Sequence, residues 1–261
     1  MNLTIYQIDA FASELFKGNP AAVCPLDYWV EDELMQNIAA ENNLAETAFF
    51  VKKNDRFEIR WFTPNVEVDL CGHATLASAY VIFNEILADS SEIIFYSPRS
   101  GELIVTKNDE LYTLDFPADR IVEVSLSPSI YSGLNIIPQQ AYKGKTDVLL
   151  IYNNEAEILH LNPNFSQLNT IKARGIIVTA KGNTVDFVSR FFAPQCGVNE
   201  DPVTGSAHTT LTPYWANLLN KNYLTAKQLS TRSGELTCHL KGDRVLIAGK
   251  CVKYLKGEIY L

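Results

Sequence analysis

The chain has 261 residues, 47% of them apolar and 20% charged, enough to bury the core of one large or two small globular domains. Its formal charge of −8, with no basic cluster to offset it, argues against nucleic acid and membrane surfaces as partners. The charge leaves a small anionic substrate open, because helix N-termini create local positive potential.

In chain order, residues 3–11 alternate like a strand, and the turn Lys17-Gly18-Asn19-Pro20 leads to a short strand of small residues, AAVC. The N-terminus has neither the charged nor the apolar region of a signal peptide, and the most apolar helical run, residues 74–83, is too short to span a bilayer. Asp32 is placed to cap a helix whose pairs Leu34/Ile38 and Met35/Ala39 recur at helical spacing, with a stop near Asn42-Asn43. Strands are expected at 47–51, 57–62, 92–96, 102–106 and 111–116. A second series is expected at 147–152, 157–161, 175–179 and 185–192. A helix over 206–219 precedes the strand signals LTCHL and RVLIAG and a C-terminal strand. Phe116-Pro117 is the expected boundary, giving lobes 1–117 and 118–261, with the last strand free to return to the first lobe. Five scattered cysteines without CxxC or zinc-like spacing fit reduced thiols in a cytoplasmic protein.

Two segments resemble each other: IRWFTPNVEVDLCGHATLASAYVIF (59–83) and RFFAPQCGVNEDPVTGSAHTTLTPYWANLL (190–219). Each runs from an aromatic pair through a small residue and proline, then an acidic loop, to Gly-polar-Ala at a helix start. The prolines (64 and 194) lie 130 positions apart and the glycines (72 and 205) lie 133 apart. An offset of half the chain suggests two similar lobes facing one cleft. The run ATLASAYVIF is small or apolar on every face and is expected to be buried all round, wrapped by a curled sheet. Pro213 is expected to kink the second helix.

Both helix starts suit an anion, since glycine admits a ligand to free first-turn N–H groups and the dipole favours negative charge. His73 and Ser206 stand at the two first turns, although a serine there is more often a simple cap. Glu46, in LAETAFF, reads either as a solvated turn residue or as a desolvated acid with a raised pKa. Asp201 is a turn aspartate before proline or a second acid. Cys71, beside a helix start, is a candidate for a lowered pKa, but no cysteine matches it near Gly205. His160, His208 and His239 show no metal spacing with one another or with His73, and no nucleotide or flavin motif is present.

At these residues the chain resembles the phenazine-biosynthesis PhzF-like isomerases, relatives of diaminopimelate epimerase. The likeness runs nearly end to end through IDAFASELFKGNPAAVC, IAAENNLAETAFF, RWFTPNVEVDLCGHATLA, NEDPVTGSAH with PYWA, and TRSGELTCHLKGDRVLIAG. It implies an α+β, diaminopimelate epimerase-like fold of two pseudo-symmetric lobes, each a sheet around a central helix, with the site between them and often a homodimer. It implies a cofactor-independent, metal-free isomerase in which Glu46 removes and returns a proton on a small carboxylate-bearing, amino-acid-like substrate. His73, Asp201 and Ser206 would join Glu46 in the catalytic set, with Gly72, Gly205, Ala207 and Asn19 binding substrate. Cys71 aligns with one thiol of the epimerase relatives, whose opposing thiol is missing, so a thiol racemase is the alternative reading, beside a binding protein that keeps the cleft. Asn65, Ser233 and Thr209 depart from the family pattern without touching the acids.

Overall fold

The computed structural model describes residues 2–125 and 128–261. Residues up to Asp115 pack together with Ala248–Leu261 as one unit, and Phe116–Ile247 form a second.

The first unit holds β1 (Asn2–Ala10), β2 (Asn19–Leu26), α1 (Asp32–Asn42), β3 (Glu46–Lys53), β4 (Arg56–Phe62), β5 (Glu67–Val68), α2 (Gly72–Val81), β6 (Glu92–Ser97), β7 (Gly101–Asn108) and β8 (Leu111–Pro117). Strand β1 pairs antiparallel with β2, which runs parallel to β3 after the α1 crossover; β3 and β4 are antiparallel, and β4 runs parallel to β6 after α2. Met35, Ile38 and Ala39 are the buried stripe of α1, the face expected from their spacing, and they pack on Phe49 and Phe62. The helix ends at Asn43, a left-handed residue (φ 49°) whose N–H bonds Ala39 O, as asparagine at that point suggests. Asp32 does not cap it. It is the first helical residue, it makes no capping bond, and its carboxylate instead accepts from Arg60.

Helix α2 is buried along almost its whole length and packs on β1, β2 and β3. Its buried Thr75 and Ser78 hydroxyls avoid an unsatisfied state by bonding backward, Thr75 to Cys71 O and Ser78 to Ala74 O. Beyond Val81 the helix widens into a π turn over Ile82–Ile86, where Glu85 takes Lys253 and Lys256.

The second unit holds β9 (Val122–Val124), α3 (Pro128–Gly133), β10 (Gln140–Lys143), β11 (Val148–Ile151), α4 (Glu155–His160), α5 (Phe165–Leu168), β12 (Ile176–Lys181), β13 (Phe187–Phe192), α6 (Gly205–Leu219), β14 (Tyr223–Gln228) and β15 (Gly234–Lys241), followed by β16 (Arg244–Gly249). The last strand, β17 (Cys251–Tyr260), lies in the first unit and pairs antiparallel with β1. The pairing order of the first unit recurs here: β11 is parallel to β12, β12 antiparallel to β13, and β13 parallel to β14 after α6. Trp215 of α6 stacks on Phe187 and donates to Thr179 Oγ1, tying the helix to the strands beneath it.

Residues 157–161, expected as a strand, lie instead in α4 and at its end. Asn154 caps this helix by accepting from Glu157 N, and the Glu157 carboxylate accepts from Asn153 N. This reciprocal capping overrides the weak alternation of EILHL. Strands β5, β9, β10 and β14 were not expected from the sequence. No helix among the described residues is long and apolar enough to cross a membrane.

Candidate functional site

Glu46 opens β3, where the parallel register sets it beside Ala21 of β2. Cys71 precedes α2 in extended conformation, so Gly72 and His73 are the first two residues of the helix. These two chain turns bring together residues that are far apart in sequence. His73 Nε2 lies 3.2 Å from Glu46 Oε2 as an ion-pair contact, with the side chains 6% and 18% exposed. At the other ring nitrogen, Asn19 Nδ2 is 3.1 Å from His73 Nδ1 and Cys71 Sγ is 3.5 Å from the same atom.

Burial works against a charge on His73, but the acidic neighbours Cys71 and Glu46 outweigh it and hold its pKa well above the ordinary imidazole value. The Cys71 thiol is raised, first by burial and then by Glu46, with His73 opposing. This corrects the expectation that the helix start would lower it. Burial thus favours the neutral thiol at Cys71. Asn19 suits either form of the imidazole, since its amide can donate to a bare Nδ1 and its carbonyl can accept from a protonated one.

Glu46, Cys71 and His73 each bring one possible ligand atom within 4.8 Å of the others, a set able to hold a metal ion. No spacing along the chain points to it, because the three meet only through the fold. Loading it would require deprotonating Cys71 against its burial.

In the second unit, α6 begins with Gly205, Ser206 and Ala207. The loop before it is fixed by Gln228, whose amide donates to Asp201 O and whose carbonyl accepts from Thr204 N, while Thr204 Oγ1 donates to the Asp201 carboxylate. Ser206 is the second residue of the helix rather than its cap. Its Oγ accepts from Arg174 Nη2 at 2.9 Å, and Arg174 also forks onto Asp147, through Nε to Oδ1 at 2.9 Å and through Nη2 to Oδ2. Arg174 and Asp147 were not singled out in the sequence, where ARG and TDV carry no motif.

The two units together define the diaminopimelate epimerase-like fold class, shared with a probable proline racemase of Agrobacterium radiobacter (TM-score 0.66, 9% identity, 99% of this chain and 93% of that one). More specifically, the chain belongs to the PhzC-PhzF family of phenazine biosynthesis-like proteins, whose model matches residues 8–257. It is 49% identical to an uncharacterized isomerase of Pseudomonas aeruginosa over the full length of both chains. A crystal structure of a PhzF-family phenazine biosynthesis protein from Enterococcus faecalis matches it with a TM-score of 0.97 and 47% identity, covering all of both chains.

Proposed function

We propose that the chain is a cofactor-independent isomerase that removes a proton from carbon and returns it elsewhere on a small, amino-acid-like carboxylate, with Glu46 as the base. The observation that carries this reading is the approach of Glu46 Oε2 to His73 Nε2, 3.2 Å, at the first turn of α2. The naming of full-length relatives as isomerases supports the reaction class. A carboxylate is acceptor-only when ionised and gains a donor when protonated, so one group can serve both half-steps. His73 holds Glu46 in place and stabilises its negative form. The N–H groups of the α2 start favour charge that develops on the substrate. Proton transfer by a positioned base contributes ~10²–10⁴-fold, and orientation supplies much of the remainder. Ser206, with the backbone of Gly205 and Ala207, takes the substrate carboxylate in this reading, and Asp201 holds the loop that presents them.

The test is incubation with cyclic and acyclic amino acids in D₂O, reading solvent deuterium at carbon. Wild type is expected to exchange with one of them. Glu46→Gln is expected to lose exchange and turnover while still binding carboxylate ligands; full activity in that variant would sink the assignment. A racemase using Cys71 with an acid partner is the second reading, favoured by the contact of Cys71 Sγ with His73 and opposed by the raised thiol pKa. The reading also includes a cytoplasmic homodimer, which light scattering would test for mass.

A further inference from the structure

The registers of the two units can be laid over one another. Thr47 pairs with Phe62 in the first, and Ile176 with Phe192 in the second. The residue before each of these, Glu46 or Gly175, therefore holds the equivalent place. A carboxylate side chain at Gly175 would require the Phe191 ring to move, because a Cβ there would lie 2.1 Å from it. One residue earlier stands Arg174, and its guanidinium reaches Ser206, which is the counterpart of His73 in the repeat. Where the first unit sets an acid against an imidazole, the second sets a cation against a hydroxyl.

The chemistry of that contact is directional. Arginine has donors only, so Ser206 Oγ accepts from it. A hydroxyl whose oxygen already accepts is left with its O–H to give, and among the described residues no acceptor takes it. The guanidinium is itself held. Asp147, 3% exposed, takes two of its N–H groups, and the ring of Phe191 lies 5.4 Å beneath it. The planar fork serves the carboxylate and the serine together, which an ammonium on a flexible stem does poorly.

We infer that Asp147 and Arg174 form a positioning pair that fixes the Ser206 hydroxyl as a hydrogen-bond donor to the substrate carboxylate. This rests on the reading of Ser206 as a substrate contact. Arg174 acts through Ser206, so its effect on binding exists only while the serine is there.

The experiment is a double-mutant cycle read by calorimetric titration with benzoate, with benzamide as the neutral control. Wild type binds benzoate in preference to benzamide. Ser206→Ala weakens benzoate about tenfold, the scale of one hydrogen bond to a charged group. Arg174→Gln alone weakens it by a similar factor but adds nothing in the S206A background, and leaves benzamide unchanged. Arg174→Lys, which keeps the charge without the fork, shows a partial loss and serves if R174Q does not fold. Equal losses from the Arg174 variants in both backgrounds, no loss from them, or equal binding of benzoate and benzamide by wild type would each overturn the inference. The binding cycle needs no turnover, so a Glu46→Gln variant that stayed active would strike the proton-transfer reading and leave this one standing.

Discussion

Arg190 grips Glu200 with a two-pronged ion pair, Nε to Oε1 at 2.7 Å and Nη2 to Oε2 at 3.0 Å, and the first unit repeats it between Arg60 and Glu67 at the same two distances. Each guanidinium also lies over the aromatic ring two residues on, 4.9 Å from Phe192 and 5.2 Å from Phe62. The arginines sit on β13 and β4, and each glutamate lies in the segment that leads to a Gly-led helix start. The repeat thus includes a matched lock on the loops that deliver Ser206 and His73.

Breaking the lock is expected to cost stability before it affects chemistry. Arg190 also donates to the carbonyls of Ile158 and Leu161, and its side chain is 11% exposed, so a lost partner is poorly replaced by water. Glu200→Gln is expected to destabilise the fold by about 2 kcal/mol, the range for hydrogen bonds to charged groups. Urea unfolding at neutral pH checks this, and a change within error would show that the pair contributes little.

The doubled segment, the buried central helix and most strands were legible in the sequence because periodicity and turn residues are local signals. The locks left a trace as well: Arg60 and Arg190 are 130 positions apart and Glu67 and Glu200 are 133, the offsets of the repeat itself. Glu46 and His73 were each legible singly, but their contact was not, since it depends on the register of β3 beside β2 and not on any spacing along the chain. Arg174 was hidden for the same reason, as its meaning comes from Ser206, 32 positions away. Residues 157–161 alternate like a strand, but the Asn154/Glu157 capping pair makes most of them helical.

Ser233 is in the left-handed region at φ 59°, where glycine is unstrained. Its hydroxyl donates to Gln228 O, and its N–H donates to Ser230 Oγ, contacts that offset the backbone cost. This explains how the chain tolerates a side chain there.

Gly175→Ala tests why the second unit lacks an acid at the place of Glu46. The added methyl would meet three Phe191 ring atoms at 2.1–2.9 Å, and Phe191 is buried, so the ring or strand β12 must shift. Overpacking of this kind costs roughly 1–3 kcal/mol. The variant is expected to melt earlier than wild type. Its carboxylate binding is also expected to weaken, because the shifted ring carries Arg174 with it. An unchanged melting temperature would mean that the position is not closed by packing.

Cys71→Ser separates carboxylate from thiol chemistry. Burial raises the Cys71 thiol and so favours its neutral form beside His73. A serine hydroxyl can replace that contact. The variant is expected to retain most of its turnover in the deuterium-exchange assay, and a collapse would favour the thiol racemase. In wild type, iodoacetamide is expected to label Cys196 first, since Cys196 is exposed whereas Cys24, Cys71 and Cys238 are buried. Peptide mass spectrometry after timed quenching gives the order.

His208 sets an acid limit on the second unit. It is fully buried in α6, its Nδ1 donates to Thr204 O at 2.8 Å, and its ring lies 5.8 Å from that of Phe187. Burial lowers its pKa from 6.5 to about 4, so the folded chain keeps it neutral where the unfolded chain protonates it. The unfolded state therefore binds the extra proton between those values, and stability falls as pH drops through that window. The contribution is fully present above pH 6.5, and the whole depression corresponds to about 3 kcal/mol. His208→Gln keeps a donor for Thr204 O but cannot titrate. It is expected to be less stable than wild type at pH 7, because the ring packing is lost, yet to lose less stability between pH 7 and pH 4.5. Urea unfolding at several pH values gives both slopes; parallel slopes would mean that the acid sensitivity of the second unit comes from other groups.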